Sequence, residues 1–85
     1  MKYTYQTKGT CSREIEILTR ENDGREIIED VRFLGGCNGN LQGIGALVKG
    51  MTIEEVISRL EGIDCKGKGT SCPDQLAKAL KEMKA

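Results

Sequence analysis

Residues 12–34 read Ser12-Arg-Glu-Ile-Glu-Ile-Leu-Thr-Arg-Glu-Asn-Asp-Gly-Arg-Glu-Ile-Ile-Glu-Asp-Val-Arg-Phe-Leu34. In the first half Ile15, Ile17 and Thr19 face one way. Glu14, Glu16 and Arg20 face the other, with Leu18 on the polar side. This period of two marks a half-buried strand. Glu21-Asn22-Asp23-Gly24 then supplies residues that tolerate positive φ, so a tight turn is expected. Residues 25–34 return as a second strand, with Ile27, Val31 and Phe33 on one face and Ile28, Asp30, Arg32 and Leu34 on the other. The stretch predicts an antiparallel hairpin, with residues 11–13 opposite 35–37 at its open end.

Upstream, Tyr3, Tyr5 and Thr7 alternate with Lys2, Thr4 and Gln6, a short strand at a sheet edge. Gly9-Thr10-Cys11 separates it from the hairpin. Downstream, Gly35-Gly36-Cys37-Asn38-Gly39-Asn40 permits a sharp change of direction. From Leu41 the period becomes helical, with Leu41, Ile44, Leu47 and Val48 on one face. Gly43 and Gly45 weaken that helix by about 1 kcal/mol each relative to Ala. They point to close packing against a neighbour.

Thr52-Ile-Glu-Glu55 is a capping-box pattern, and Ile53, Val56, Ile57 and Leu60 give the next helix its apolar face. Gly62 is its expected terminator, and Ile63 to Thr70 is a loop rich in Gly and Lys that contains Cys65. The last helix is predicted from Pro73 to about Met83, with Leu76, Leu80 and Met83 facing the core. Pro73 suits a first helical turn. Ser71 or Cys72 is its expected cap, and Asp74 and Gln75 fall in its first turn. Strands first and helices after predict an α+β fold. It is a three-stranded antiparallel sheet followed by three helices packed on one face, in a single domain over residues 1–85.

The 85 residues carry 13 acidic and 13 basic side chains, one Phe, two Tyr and no Trp. This balance gives no basic surplus for nucleic acid. No stretch approaches the about 20 apolar residues of a membrane span, and the polar N-terminus has no apolar signal core. The expected location is the cytoplasm, where structural disulfides are rare and four cysteines need another explanation.

Cys11, Cys37, Cys65 and Cys72 show no Cys-x-x-Cys knuckle, but each stands at an element boundary. Cys37 and Cys72 each precede a helix, where the dipole favours a thiolate. If those helices begin at the same end of the sheet, three or four sulfurs converge, and such a set selects zinc or an iron–sulfur cluster. The chain has no His, which leaves sulfur, carboxylate or backbone ligands. The plain alternative is that the cysteines are small buried hydrophobes. Asn38, Asn40, Ser71 and Asp74 are the candidate supporting residues around the sulfurs.

Two weaker motifs read as loops. Residues 62–68 match the opening of a phosphate loop, but Gly69 stands where the Mg²⁺-binding hydroxyl belongs and no strand precedes it. Gly35 to Asn40 could hold an anion, but a turn that needs glycine accounts for it. No acid–base or nucleophile–base constellation is visible.

At Thr70-Ser71-Cys72-Pro73-Asp74 the chain resembles the TSCPD domain family, supported by Gly35-Gly36-Cys37-Asn38-Gly39-Asn40 and Gln75-Leu76-Ala77. The likeness covers nearly the whole chain. Related domains end some adenosylcobalamin-dependent ribonucleotide reductases, so the resemblance implies a tie to ribonucleoside-diphosphate reductase. A chain of this size has no room for the barrel and radical cofactor of that enzyme.

The element order is also similar, more distantly, to NifU-like iron–sulfur scaffolds, whose three cysteines correspond in order to Cys11, Cys37 and Cys72. Arg13 stands where those scaffolds have an aspartate and Ser71 where they have a histidine. Cys65 is an extra ligand that would close a four-sulfur site.

The leading expectation is therefore a cysteine-ligated metal module, zinc before an iron–sulfur cluster, without turnover of its own. Its role would be interaction or metallocentre handling, beside a ribonucleotide reductase or a metallocentre assembly partner. The alternatives are a reductase-associated domain and a thiol-redox protein with Cys65 and Cys72 as its pair.

Overall fold

The structure is a computed structural model that describes residues 1–10, 12–36, 38–64, 67 and 69–84, with Asn38 and Lys84 described by their backbone alone. Strand β1 spans Lys2–Gln6, β2 Ser12–Asn22 and β3 Arg25–Gly35, and three helices follow: α1 Asn38–Val48, α2 Ile53–Leu60 and α3 Cys72–Lys84. The sheet has the order β1-β2-β3, antiparallel throughout. The α+β arrangement expected from the sequence is the one observed.

The hairpin turn is Asp23-Gly24, with Asn22 opposite Arg25 and φ of 53° and 78° at the two turn residues. Two consecutive positive φ values match the right-handed twist of the flanking strands, and Asp-Gly adopts them with little strain. Two irregularities interrupt the ladder. Ser12 faces Gly35 while Glu14 faces Leu34, so Arg13 is an extra residue in β2. Leu18 faces Asp30 while Thr19 faces Ile28, so Glu29 is an extra residue in β3. The two insertions lie on opposite strands and cancel. Ser12 therefore meets Gly35 at the open end, as an unbroken hairpin would place it.

The Glu29 bulge changes which residues face the core. The sequence places Ile27 with Val31 and Phe33, and Ile28 on the opposite face. In the structure Ile28 is buried with Ile15, Ile17 and Val31 in the core. A bulge reverses the alternation on one side of itself. Ile27 is covered separately, by a bridge to Thr52.

All three helices pack on the face that carries Ile15, Ile17, Ile28 and Val31, joining Val48, Ile53, Val56, Leu76, Ala79 and Leu80 to the same core. In α1, Leu41 and Val48 are buried, whereas Leu47 is 79% exposed. Leu47 was expected on the buried face. The row that faces the sheet is 41, 44, 45 and 48, and at about 100° per residue Leu47 lies roughly a quarter turn from it. Gly45 sits in that row, and a Cβ there would be 2.9 Å from the Val31 carbonyl oxygen. The close approach expected of the α1 glycines is therefore made at Gly45. Gly43 has open space around it.

Thr52 caps α2 as its sequence predicts. Its hydroxyl accepts the Glu55 N–H at 3.1 Å, and the Glu55 carboxylate accepts the Thr52 N–H at 3.2 Å. Helix α3 buries Leu76, Ala77, Ala79 and Leu80, with Met83 against the core. No helix among the described residues is long and apolar enough to cross a membrane.

Candidate functional site

The open end of the hairpin meets the start of α3, and the contact is made of short polar side chains. The Arg13 bulge matters here. By strand alternation alone, Ser12 would share a face with Glu14 rather than with Ile15. The extra residue lets Ser12 turn toward the helices, where it is buried. Its Oγ lies 3.1 Å from the Cys72 Sγ. The Ser12 carbonyl accepts the Thr7 hydroxyl at 2.5 Å and the Thr10 hydroxyl at 3.2 Å. Thr10 Oγ1 is also 3.2 Å from Ser12 Oγ. Gly36 packs on the same place, since a Cβ there would be 3.1 Å from the Ser12 backbone nitrogen. Gly36 has φ of 83°, so this position favours glycine twice, by conformation and by space.

Ser71 is the cap of α3. Its hydroxyl accepts the Asp74 N–H at 3.1 Å, and its carbonyl accepts the Gln75 N–H at 2.8 Å. Cys72 thus occupies the first helical position, half-buried, at the positive end of the helix dipole. Pro73 follows it, where its missing N–H leaves no gap.

A second network runs beneath. The Lys8 N–H donates to Gln75 Oε1 at 3.0 Å, and Gln75 Nε2 donates to Thr70 Oγ1 at 3.0 Å. Thr70 donates in turn to Asp74 Oδ2 at 2.5 Å. The Gly62 N–H donates to Asp74 Oδ1 at 2.7 Å, and Lys78 Nζ lies 3.3 Å from Oδ2. Thr70, Ser71, Asp74 and Gln75 are all buried, and every step of this chain has a donor and an acceptor. Burial alone would raise the Asp74 pKa. The bonds from Thr70, Gly62 and Lys78 outweigh it and hold the carboxyl below its ordinary 3.8.

Of the sequence-predicted sulfur ligands, Cys72 is placed as described, and Cys11, Cys37 and Cys65 lie outside the described residues. Among the supporting candidates, Ser71 and Asp74 organise the start of α3. Asn40 is exposed in the first turn of α1, and the Asn38 side chain lies outside the described residues. Both Asp74 oxygens are engaged by the network, so its carboxylate is committed to structure. No group of three or more His, Cys, Asp or Glu side chains suited to a metal occurs among the described residues. Sequence reasoning missed Ser12, Thr10 and the bridging role of Gln75. No local pattern marks Ser12 or Gln75, because Cys72 and Lys8, the partners that give them these roles, lie far away in the chain, and Thr10 matters only through Ser12.

The stretch from Thr70 to Asp74 therefore has one task per residue: relay, cap, sulfur, helix start and carboxylate clamp. A family model described as the TSCPD domain matches residues 1–84. The chain belongs to the TSCPD domain family. No curated protein and no solved structure matches it. In this TSCPD domain, the residues that give the family its name start α3 and fasten it to Ser12 and Gly62, while the next residue, Gln75, ties it to Lys8 in the β1–β2 connection.

Proposed function

We propose that this TSCPD domain is a small metal-thiolate module, in which Cys11, Cys37, Cys65 and Cys72 hold the metal through sulfur. Zinc is favoured over an iron–sulfur cluster, because four thiolates and no open position suit a structural zinc. The module has an interaction or metallocentre-handling role and no turnover of its own.

The observation that carries this reading is the contact between Ser12 and Cys72, with Gly36 packed on Ser12. Ser12 follows Cys11 in the chain, and Gly36 precedes Cys37. The immediate neighbours of two cysteines thus meet each other, and one of them, Ser12, meets a third cysteine at a helix start. The donor set supports the same reading. The chain contains no His, and Asp74 is held by other partners. A metal here would take its ligands from the cysteines.

Elemental analysis of untagged protein, with its visible absorption after anaerobic purification, tests the proposal. One zinc per chain, or the absorption of an iron–sulfur cluster, is expected. A folded, colourless, metal-free protein overturns it. If the metal is structural, chelation unfolds the domain, since structural zinc contributes on the order of 10 kcal/mol to folding.

A further inference from the structure

The hydroxyls of Thr10 and Ser12 form a chain that ends on the Cys72 sulfur, with the Thr7 hydroxyl on the Ser12 carbonyl beside it, and proton counting gives the chain one direction for each charge state of the sulfur. Each hydroxyl has one proton to donate. The Ser12 carbonyl has two donors, Thr7 at 2.5 Å and Thr10 at 3.2 Å. Thr7 alone satisfies that oxygen. Thr10 is therefore free to turn its proton toward Ser12 Oγ, 3.2 Å away. Ser12, with its oxygen supplied, then gives its own proton to Cys72 Sγ at 3.1 Å. With the thiol, the same atoms run the other way: Cys72 donates to Ser12, Ser12 to Thr10, and Thr10 to the carbonyl. Both states leave every group partnered, without movement of a heavy atom.

We propose that Ser12 is the positioning residue for the metal-bound form of Cys72: its hydroxyl donates to the thiolate sulfur, Thr10 supplies Ser12, and Thr7 keeps the carbonyl satisfied. This rests on the metal-thiolate reading. Donors to a ligating atom fix its orientation, and their loss typically weakens metal binding 10- to 100-fold. A thiolate that loses its donor also has higher-energy sulfur lone pairs.

The test uses Co²⁺ as a probe of the full-length protein under anaerobic conditions. Affinity is measured by competition with a chelator, and the sulfur-to-cobalt charge-transfer band is recorded. Ser12→Ala is expected to weaken Co²⁺ binding about 10- to 100-fold and to shift the band to lower energy. Thr10→Val, at a half-buried site, is expected to shift both in the same direction by a smaller amount, and Thr10→Ser to restore wild-type values. If Ser12→Ala fails to fold, the Thr10 pair decides the matter. Wild-type affinity and an unshifted band in Ser12→Ala, or in Thr10→Val where the first is unfolded, overturn the Ser12 role alone. A wild-type protein that takes up no Co²⁺ overturns the metal reading and this role with it.

Discussion

The Asp74 carboxylate accepts the Gly62 backbone N–H at 2.7 Å, which ties the residue just before the Gly- and Lys-rich segment to the helix that follows it. The same carboxylate accepts the Thr70 hydroxyl from the other end of that segment. Asp74 thus clamps both ends of the stretch in which Cys65 occurs, and presents them to the first turn of α3. A buried carboxylate with this many donors is stabilising only while it is charged.

Asp74→Asn should therefore destabilise the domain by about 1–3 kcal/mol at neutral pH, because an amide nitrogen would face a donor. The pH dependence has a definite sign. The folded-state pKa of Asp74 lies below its ordinary 3.8, so the unfolded chain binds the proton more readily. The contribution is complete above the ordinary carboxylate range and is lost as pH falls through the folded value. Melting temperatures from pH 7 down to the acid limit of folding are expected to show wild type and Asp74→Asn converging in acid. A constant gap would remove the charged carboxylate as its source.

The Glu29 bulge makes a claim about Ile28. Ile28 is 1% exposed, while Leu34, on the same strand, is 45% exposed. Ile28→Ala should cost about 2–5 kcal/mol in denaturant unfolding, the range for a filled core site that becomes a cavity. Leu34→Ala should stay within about 0.5 kcal/mol of wild type. Uninterrupted strand alternation would place Ile28 and Leu34 on the same outer face and so predicts similar, small effects at both positions.

What was legible in the sequence was local. Asp23-Gly24 announces its turn because two positive φ values are needed within two residues. Thr52 and Glu55 announce their cap because both bonds close within one helical turn. The bulges at Arg13 and Glu29 are set by which residue of the partner strand each one meets, and the alternating pattern carries no mark of that. The contact between Ser12 and Cys72 joins residues far apart in the chain, and it needs the Arg13 bulge to turn Ser12 toward α3. A boundary position for Cys72 was readable from Pro73, but the hydroxyls that serve its sulfur were not.

The capping box of α2 gives a prediction of modest size. Thr52 is buried as well as bonded, and its bridge to Ile27 places α2 against β3. Thr52→Ala should cost about 0.5–2 kcal/mol through the loss of the cap. Thr52→Ser, which keeps the hydroxyl, should recover most of it. Equal losses in both variants would assign the effect to packing of the threonine methyl instead.

The two α1 glycines separate conformation from space. Both lie in the interior of the same helix, where glycine is less favourable than alanine by roughly 0.5–1 kcal/mol. At Gly43 a Cβ would meet nothing, so Gly43→Ala should stabilise the domain by about that amount. At Gly45 a Cβ would stand 2.9 Å from the Val31 carbonyl oxygen. That neighbour is backbone within the sheet and yields only if α1 lifts from β3. Overpacking of this kind costs about 1–3 kcal/mol, more than the helix propensity returns, so Gly45→Ala should destabilise. Denaturant unfolding of the two variants is expected to give shifts of opposite sign. Stabilisation at both positions would mean that α1 does not rest on the β3 backbone at Val31.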